Sequence, residues 1–244
     1  TFLCETSPIL LNADIEGYTE SCDEQYILQT IAYNFITGIG DTLEFDASDD
    51  GETDPIAIPF AFEYFCQNVT SVIAQTNGVL NMQNNGFDNA DFSPTTIPNT
   101  SNPSGIIAMF WDDLNQPSNT VSVYFVTGVA PNRKMVFDLD LKTGSSGTGN
   151  TVRGQIVLHE TSNIIDITCI DCNQADATAE ITQGIENFSG TVGFSTPNRN
   201  LTAWSASNET RRFIPTNSPA RFNYSWTPNN AISNTGVLNP IVTP

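Results

Sequence analysis

Two acid-rich stretches carry the side chains best suited to chemistry. In GIIAMFWDDLNQ (105–116) an apolar run ending at Trp111 meets two adjacent carboxylates, Asp112 and Asp113. In DASDDGETD (46–54) Asp46, Asp49, Asp50, Glu52 and Asp54 crowd around Gly51. Carboxylates can serve as a general acid and base, or they can hold a hard cation. The first use needs two carboxyls roughly 5–9.5 Å apart across a substrate. Neighbouring side chains on a strand point to opposite faces, so Asp112 and Asp113 do not converge on one substrate. If the chain turns after Trp111, one Asp accepts backbone N–H bonds and the other faces water. The pair is therefore expected to organise a loop, with metal ligation as its second use. The 46–54 loop is the better cation candidate, because Ca²⁺ prefers several hard oxygens in a flexible loop. Its spacing departs from the D-x-[DN]-x-[DN]-G pattern, since Ser48 stands where an acid belongs. A solvated acidic loop is the simpler reading. The candidate calcium ligands are thus Asp46, Asp49, Asp50, Glu52, Asp54, Asp112 and Asp113.

His159 is the single histidine, so any Ser-His-Asp site would have to use it. It shares a strand face with Gln155 and Val157, and no G-x-S-x-G elbow accompanies it. No P-loop, dinucleotide fingerprint or H-E-x-x-H occurs either. The expectation is a partly exposed strand histidine and no catalytic residue. Five cysteines beside two lysines and one histidine suggest an oxidising, extracellular setting. Cys4 and Cys22 flank a short segment that a bridge would staple. Cys169 and Cys172 form a C-x-x-C after the strand-like NIIDIT, which reads as a local disulfide or as buried thiols more than as a redox or zinc site. The odd count leaves at least one cysteine without an intramolecular partner, and Cys66 is the candidate.

The chain that must position these groups is strongly acidic. Its formal charge is −19, from 27 acids against 8 bases, and 18 of the acids precede the first base, Arg133. Such a field repels phosphate backbones and anionic membranes, and no basic patch offsets it. Cations are the better partners. No apolar run approaches the roughly 20 residues of a membrane span.

Helical periodicity is nearly absent, and short β-branched and aromatic runs are cut by Asn, Gly, Pro, Ser and Thr clusters. In AIPFAFEYF (57–65) Ile58, Phe60, Phe62 and Tyr64 alternate with Pro59, Ala61 and Glu63. Further strands are expected at 71–77, 78–82, 105–111, 121–128, 133–141, 153–160, 163–168 and 180–187. This pattern predicts an all-β fold, an antiparallel two-sheet sandwich over about residues 26–216, with Phe60, Phe62, Ile107, Phe110 and Ile156 inside. Two long loops, 84–105 and 142–151, interrupt it.

The order of segments PFAFEYF, QTNGVLNM, GIIAMFWDDLN, VYFVTGVAPNRKMVF and GQIVLHETSNIIDI resembles the nidogen-like β-sandwich of large surface proteins of Bacteroidetes. The ending ITQGIENFSGTVGFSTPNRNLTAWSASNETRRFIPT (181–216) is similar to that of domains in gliding-adhesin-like proteins. YSWTPNNAISNTGVLNPIVTP (224–244) resembles the opening of an Ig-like or PKD-like repeat, and FLCETSPILLNA (2–13) a cysteine-bearing repeat start. The chain departs from the family where Phe65-Cys66 stands in place of an aromatic-Gly turn. The resemblance implies three parts: an N-terminal flank (1–25), the sandwich (26–216) and the start of a repeat (217–244), cut from a longer chain. It further implies a non-enzymatic extracellular adhesin module serving adhesion, gliding or filament-like assembly, exported by a type IX route. Its partners would be neighbouring modules, further copies, or a surface polysaccharide or protein. Six N-x-[ST] sequons and the D-[ST]-apolar triplet Asp41-Thr42-Leu43 are then compositional or glycosylation features. A secreted hydrolase, or its carbohydrate-binding accessory domain, is the alternative. Residues 219–244 are too short to enclose a core and are expected to bury Tyr224 and Trp226 against residues outside this copy.

Overall fold

The computed structural model describes residues 9–10, 25–83, 93–101, 103–144, 149–174, 176–216 and 241–242. Its strands, numbered in chain order, form two large antiparallel sheets and one small one. The first sheet holds β2 (Tyr26–Ile31), β3 (Asp41–Thr42), β8 (Leu114–Asn115), β9 (Val123–Thr127), β10 (Lys134–Thr143), β11 (Thr151–His159), β12 (Ile165–Cys172) and β15 (Ala206–Pro215). Its order is β2-β15-β12-β11-β10-β9-β3, with β8 added at the end of β10. The second sheet holds β4 (Ile56–Tyr64), β5 (Gln67–Gln75), β6 (Val79–Asn81), β7 (Ile106–Trp111), β13 (Thr182–Glu186) and β14 (Gly193–Ser195), in the order β14-β13-β7-β6-β5-β4. The expected two-sheet sandwich is the observed fold.

The core lies between the sheets, where alternate residues of facing strands meet. In β4 the buried residues Ile58, Phe60, Phe62 and Tyr64 alternate with the exposed Ala57, Pro59 and Ala61. Phe60, Phe62, Ile107, Phe110 and Ile156 all join one apolar cluster, as the pattern predicted. Removing each such side chain from water contributes roughly 1.5–3 kcal/mol. Five strands of the two large sheets escape the sequence pattern: β2, β3, β8, β14 and β15. The last is a ten-residue strand between β2 and β12.

Part of the outer face of each sheet is covered as well. β2 and β3 are opposite edges of the first sheet, so the connecting segment 32–40 runs across it from edge to edge. Beneath it lies an in-register polar row, Asp138, Gln155, Thr168 and Thr210, one residue from each of four adjacent strands. Gln155 accepts the Ile36 N–H at 3.0 Å and donates to the Ile36 carbonyl at 2.8 Å. Thr210 accepts the Asn34 N–H at 3.0 Å. At Gly38 a Cβ would lie 2.3 Å from the Phe125 ring, so the close approach requires glycine. The second sheet carries a matching strap at 95–101. There Asn200 accepts the Ile97 N–H at 2.8 Å and donates to its carbonyl at 3.0 Å. Ile97 then packs on Val79, Ile106, Ala108 and Trp111. A side-chain amide thus does for each strap what a neighbouring strand would do, satisfying one donor and one acceptor together.

The chain divides into two compact units, 24–216 and 1–23 with 217–244. In the latter, β1 (Ile9–Leu10) pairs antiparallel with β16 (Ile241–Val242). The expected Cys4–Cys22 bridge, and the environment of Tyr224 and Trp226, lie outside the described residues.

Candidate functional site

The two acidic stretches of the sequence meet. After Trp111 the chain leaves the second sheet and, within three residues, joins the first as β8. Asp112 and Asp113 are the crossover. Asp112 accepts the Asp113 N–H at 3.0 Å through Oδ1 and the Gln174 amide at 2.8 Å through Oδ2, so it caps the turn. Burial raises its pKa against both bonds, and the Asp113 charge adds to the rise. Asp113 turns the other way, as neighbouring strand-end residues must.

The 46–54 loop folds back on itself before it reaches that crossover. Asp46 accepts the Glu52 N–H at 2.8 Å while its own N–H donates to the Glu52 carbonyl. Gly51 lies so close to the Ala47 carbonyl that a Cβ would come within 1.9 Å of the oxygen. Its backbone exchanges two hydrogen bonds with Thr76. On the far side Asp49 bridges to Asn115, and Gln116 donates to the Ser48 carbonyl. The loop is thereby pinned between the β5–β6 turn and β8.

The result is a cluster in which ligand atoms of Asp49, Asp50 and Asp113 all lie within 4.8 Å of one another. Opposite ligands of one Ca²⁺ ion, each at about 2.3–2.6 Å, are about 5 Å apart. Three carboxylates at this separation can therefore share a single ion. Asp49 Oδ1 is buried and has no hydrogen-bond partner, which is the condition of an oxygen that a cation would satisfy. Burial, then the charges of Asp49 and Asp50, raise the pKa of Asp113. The residues present fit a hard cation. The buried Asn77 sets the spacing, since its Nδ2 donates to Asp50 at 2.9 Å and its Oδ1 accepts the Leu114 N–H at 2.9 Å. Asn77 was not anticipated; the Asn77-Gly78 pair between two strands, a hairpin-turn signature, is the signal that marks it.

Of the seven acids expected to ligate, the structure gathers three. Asp46 and Asp112 are engaged as turn caps, and Asp54 lines a separate cleft of about 320 Å³ with Glu44 and Tyr124. Five arginines are paired elsewhere: Arg133 with Glu160, Arg153 with Asp138, Arg199 and Arg211 with Glu209, and Arg212 with Asp166.

His159 stands on the outer face of β11, where its Nε2 lies 2.9 Å from Asp166. Both oxygens of Asp166 are also bound by Arg212, at 2.7 Å each. The histidine is thus part of an ion network across β11, β12 and β15. Cys169 and Cys172 are both free and buried, so the local disulfide gives way to the other reading, buried thiols. On a regular strand they would face opposite ways. A bulge at Ile170, which has no partner between Cys169↔Gly154 and Asp171↔Arg153, turns both inward. Burial pushes the Cys172 thiol well up, which suppresses the reactive thiolate. Cys66 is disulfide-bonded, which corrects the expectation that it stands unpaired. Phe65 and Cys66 both have left-handed backbones, with φ of 46° and 57°, so the two-residue turn keeps its shape without glycine.

Among known proteins, the family model described as NIDO related matches residues 25–228. The chain belongs to this family, which agrees with the nidogen-like resemblance in its motifs. No curated protein and no solved structure matches it.

Proposed function

We propose that this member of the NIDO-related family is an extracellular, non-enzymatic module of a large bacterial surface adhesin, with a calcium ion held at its acidic end. The family match supports an extracellular module. The observation that carries the cation is the meeting of Asp49, Asp50 and Asp113 from loops more than sixty residues apart. Three carboxylates give a modest ligand set, and carbonyls or water would complete the six to eight oxygens that Ca²⁺ takes. Extracellular calcium modules commonly work with a Kd of about 10⁻⁴–10⁻³ M, which matches the supply outside cells. The ion would relieve the mutual repulsion of the three acids and tie the 46–54 loop to the sheet crossover. A sandwich braced in this way suits a spacer that carries load between neighbouring modules, further copies, or a surface polysaccharide or protein. The flanks, with their Ig-like or PKD-like character, would continue into those modules.

The test compares melting curves in about 1 mM Ca²⁺ and in chelator at matched ionic strength. With a Kd of about 0.1 mM, mass action contributes about 1.4 kcal/mol, or about 3–6 °C in Tm. Superimposable curves would refute the cation. Turnover of a glycoside or ester substrate, lost on replacing His159, would refute the non-enzymatic reading.

A further inference from the structure

The strap 95–101 is held at three points, two of them on β13. Thr182 Oγ1 donates to the Thr95 carbonyl at 2.8 Å, Asn200 clamps Ile97, and the Asn99 N–H donates to Oε2 of Glu186. Two of these clamps are neutral at every ordinary pH. The third is a carboxyl on a residue that is 1% exposed. We propose that Glu186 is a proton-controlled latch that fastens the 95–101 strap to the outer face of the second sheet.

The surroundings of Glu186 leave its charge uncompensated. β7, β14, the turn 187–190 and the strap itself contain no charged residue. Tyr64 is the other titratable group in contact, and its hydroxyl is committed to the backbone: it donates toward the carbonyls of Ile106 and Glu186 and accepts the Glu186 N–H at 3.0 Å. The Asn99 N–H is therefore the single bond that favours ionised Glu186. Burial outweighs it and pushes the carboxyl up to about 7. An ionised carboxylate gains more from water than from one amide. The strap meets the buried carboxyl at the Asn99 N–H, so lifting the strap would admit water on that side of Glu186.

The sign follows from the direction of the shift. The folded pKa lies above the ordinary value of 4.5, so the contribution to the closed strap is fully present below about pH 4.5 and is lost as pH rises through about 7. If lifting the strap restores the ordinary value, a difference of about 2.5 units raises the open population by up to about 300-fold. Opening would bare Ile97 and Trp111, which are sealed in the closed form. The acidic cluster is on other loops, so the latch works independently of calcium.

Amide hydrogen exchange of the intact protein across about pH 5–8.5 reads the latch, with NMR titration of the Glu186 carboxyl carbon as the second measurement. In the wild type, protection of the strap amides should fall by about 70-fold between about pH 5 and pH 8 after correction for intrinsic exchange, most of it below neutrality. Glu186→Gln keeps an acceptor for Asn99 but cannot ionise, so its strap should stay protected throughout. A Glu186 carboxyl titrating near 4.5 in the wild type would overturn the proposal. So would strap protection that is independent of pH, or a pH dependence that survives in E186Q.

Discussion

Replacing Arg212 with Ala should cost this fold about 3 kcal/mol near pH 8. Asp166 lies on the outer face of β12 with a side chain only 1% exposed, and Arg212 binds both of its oxygens from the neighbouring strand. Burial alone would raise the Asp166 pKa. The hydrogen bonds from Arg212 and then His159 outweigh it and hold the carboxyl below its ordinary range. A depressed carboxyl contributes stability above its unfolded pKa and loses it as pH falls through the folded one. At pH 8 the pair is fully formed, and its removal strands a buried charge, which costs about 3–5 kcal/mol. Arg212 is 26% exposed, which places the loss at the lower end. In the variant the burial that raises the Asp166 carboxyl is no longer opposed by Arg212, so Asp166 takes up a proton more readily as pH falls. A protonated Asp166 strands no charge, so the deficit of R212A should shrink at about pH 5.5 relative to pH 8. Urea unfolding of the wild type and R212A at both pH values measures it. A loss under about 1 kcal/mol at pH 8, or one unchanged between the two, would refute the reasoning.

Two further outcomes follow from the loop and the bulge. Gly51→Ala drives a methyl against the Ala47 carbonyl, so we expect a loss of about 1–3 kcal/mol and a weaker calcium effect; a neutral substitution in urea unfolding would show that the loop is not pinned. Cys169 and Cys172 should react with an aromatic disulfide reagent no faster than the protein unfolds, and rapid labelling of native protein would contradict their burial.

The sandwich was legible because its core strands alternate cleanly, as Ile58, Phe60, Phe62 and Tyr64 do. β15 was not, because Glu209, Arg211 and Arg212 read as a solvated segment, whereas ion pairs to Asp166 and Arg199 admit them to a sheet interior. The straps were hidden for a related reason. Polar residues at alternate strand positions, such as Gln155, Thr168 and Thr210, normally face water, and here they bond the backbone of 32–40. The acids of the candidate site were each visible, and their chemistry pointed to a hard cation. Which three converge depends on a crossover at Asp112-Asp113 and on one amide, Asn77, and periodicity along the chain carries neither. The bulge at Ile170 likewise reverses a face that regular alternation would assign. In each case a long-range contact, not a local preference, decided the outcome.

Calcium titration calorimetry on the wild type beside Asp49→Asn/Asp113→Asn tests the central claim most directly. Asparagine keeps the size and the turn bonds of each acid and removes the charge that a cation requires. We expect one site with a Kd of about 10⁻⁴–10⁻³ M in the wild type, as for extracellular calcium modules, abolished in the double variant while its fold, read by circular dichroism, is retained. Absence of a binding heat in the wild type, or equal affinity in the double variant, would contradict it.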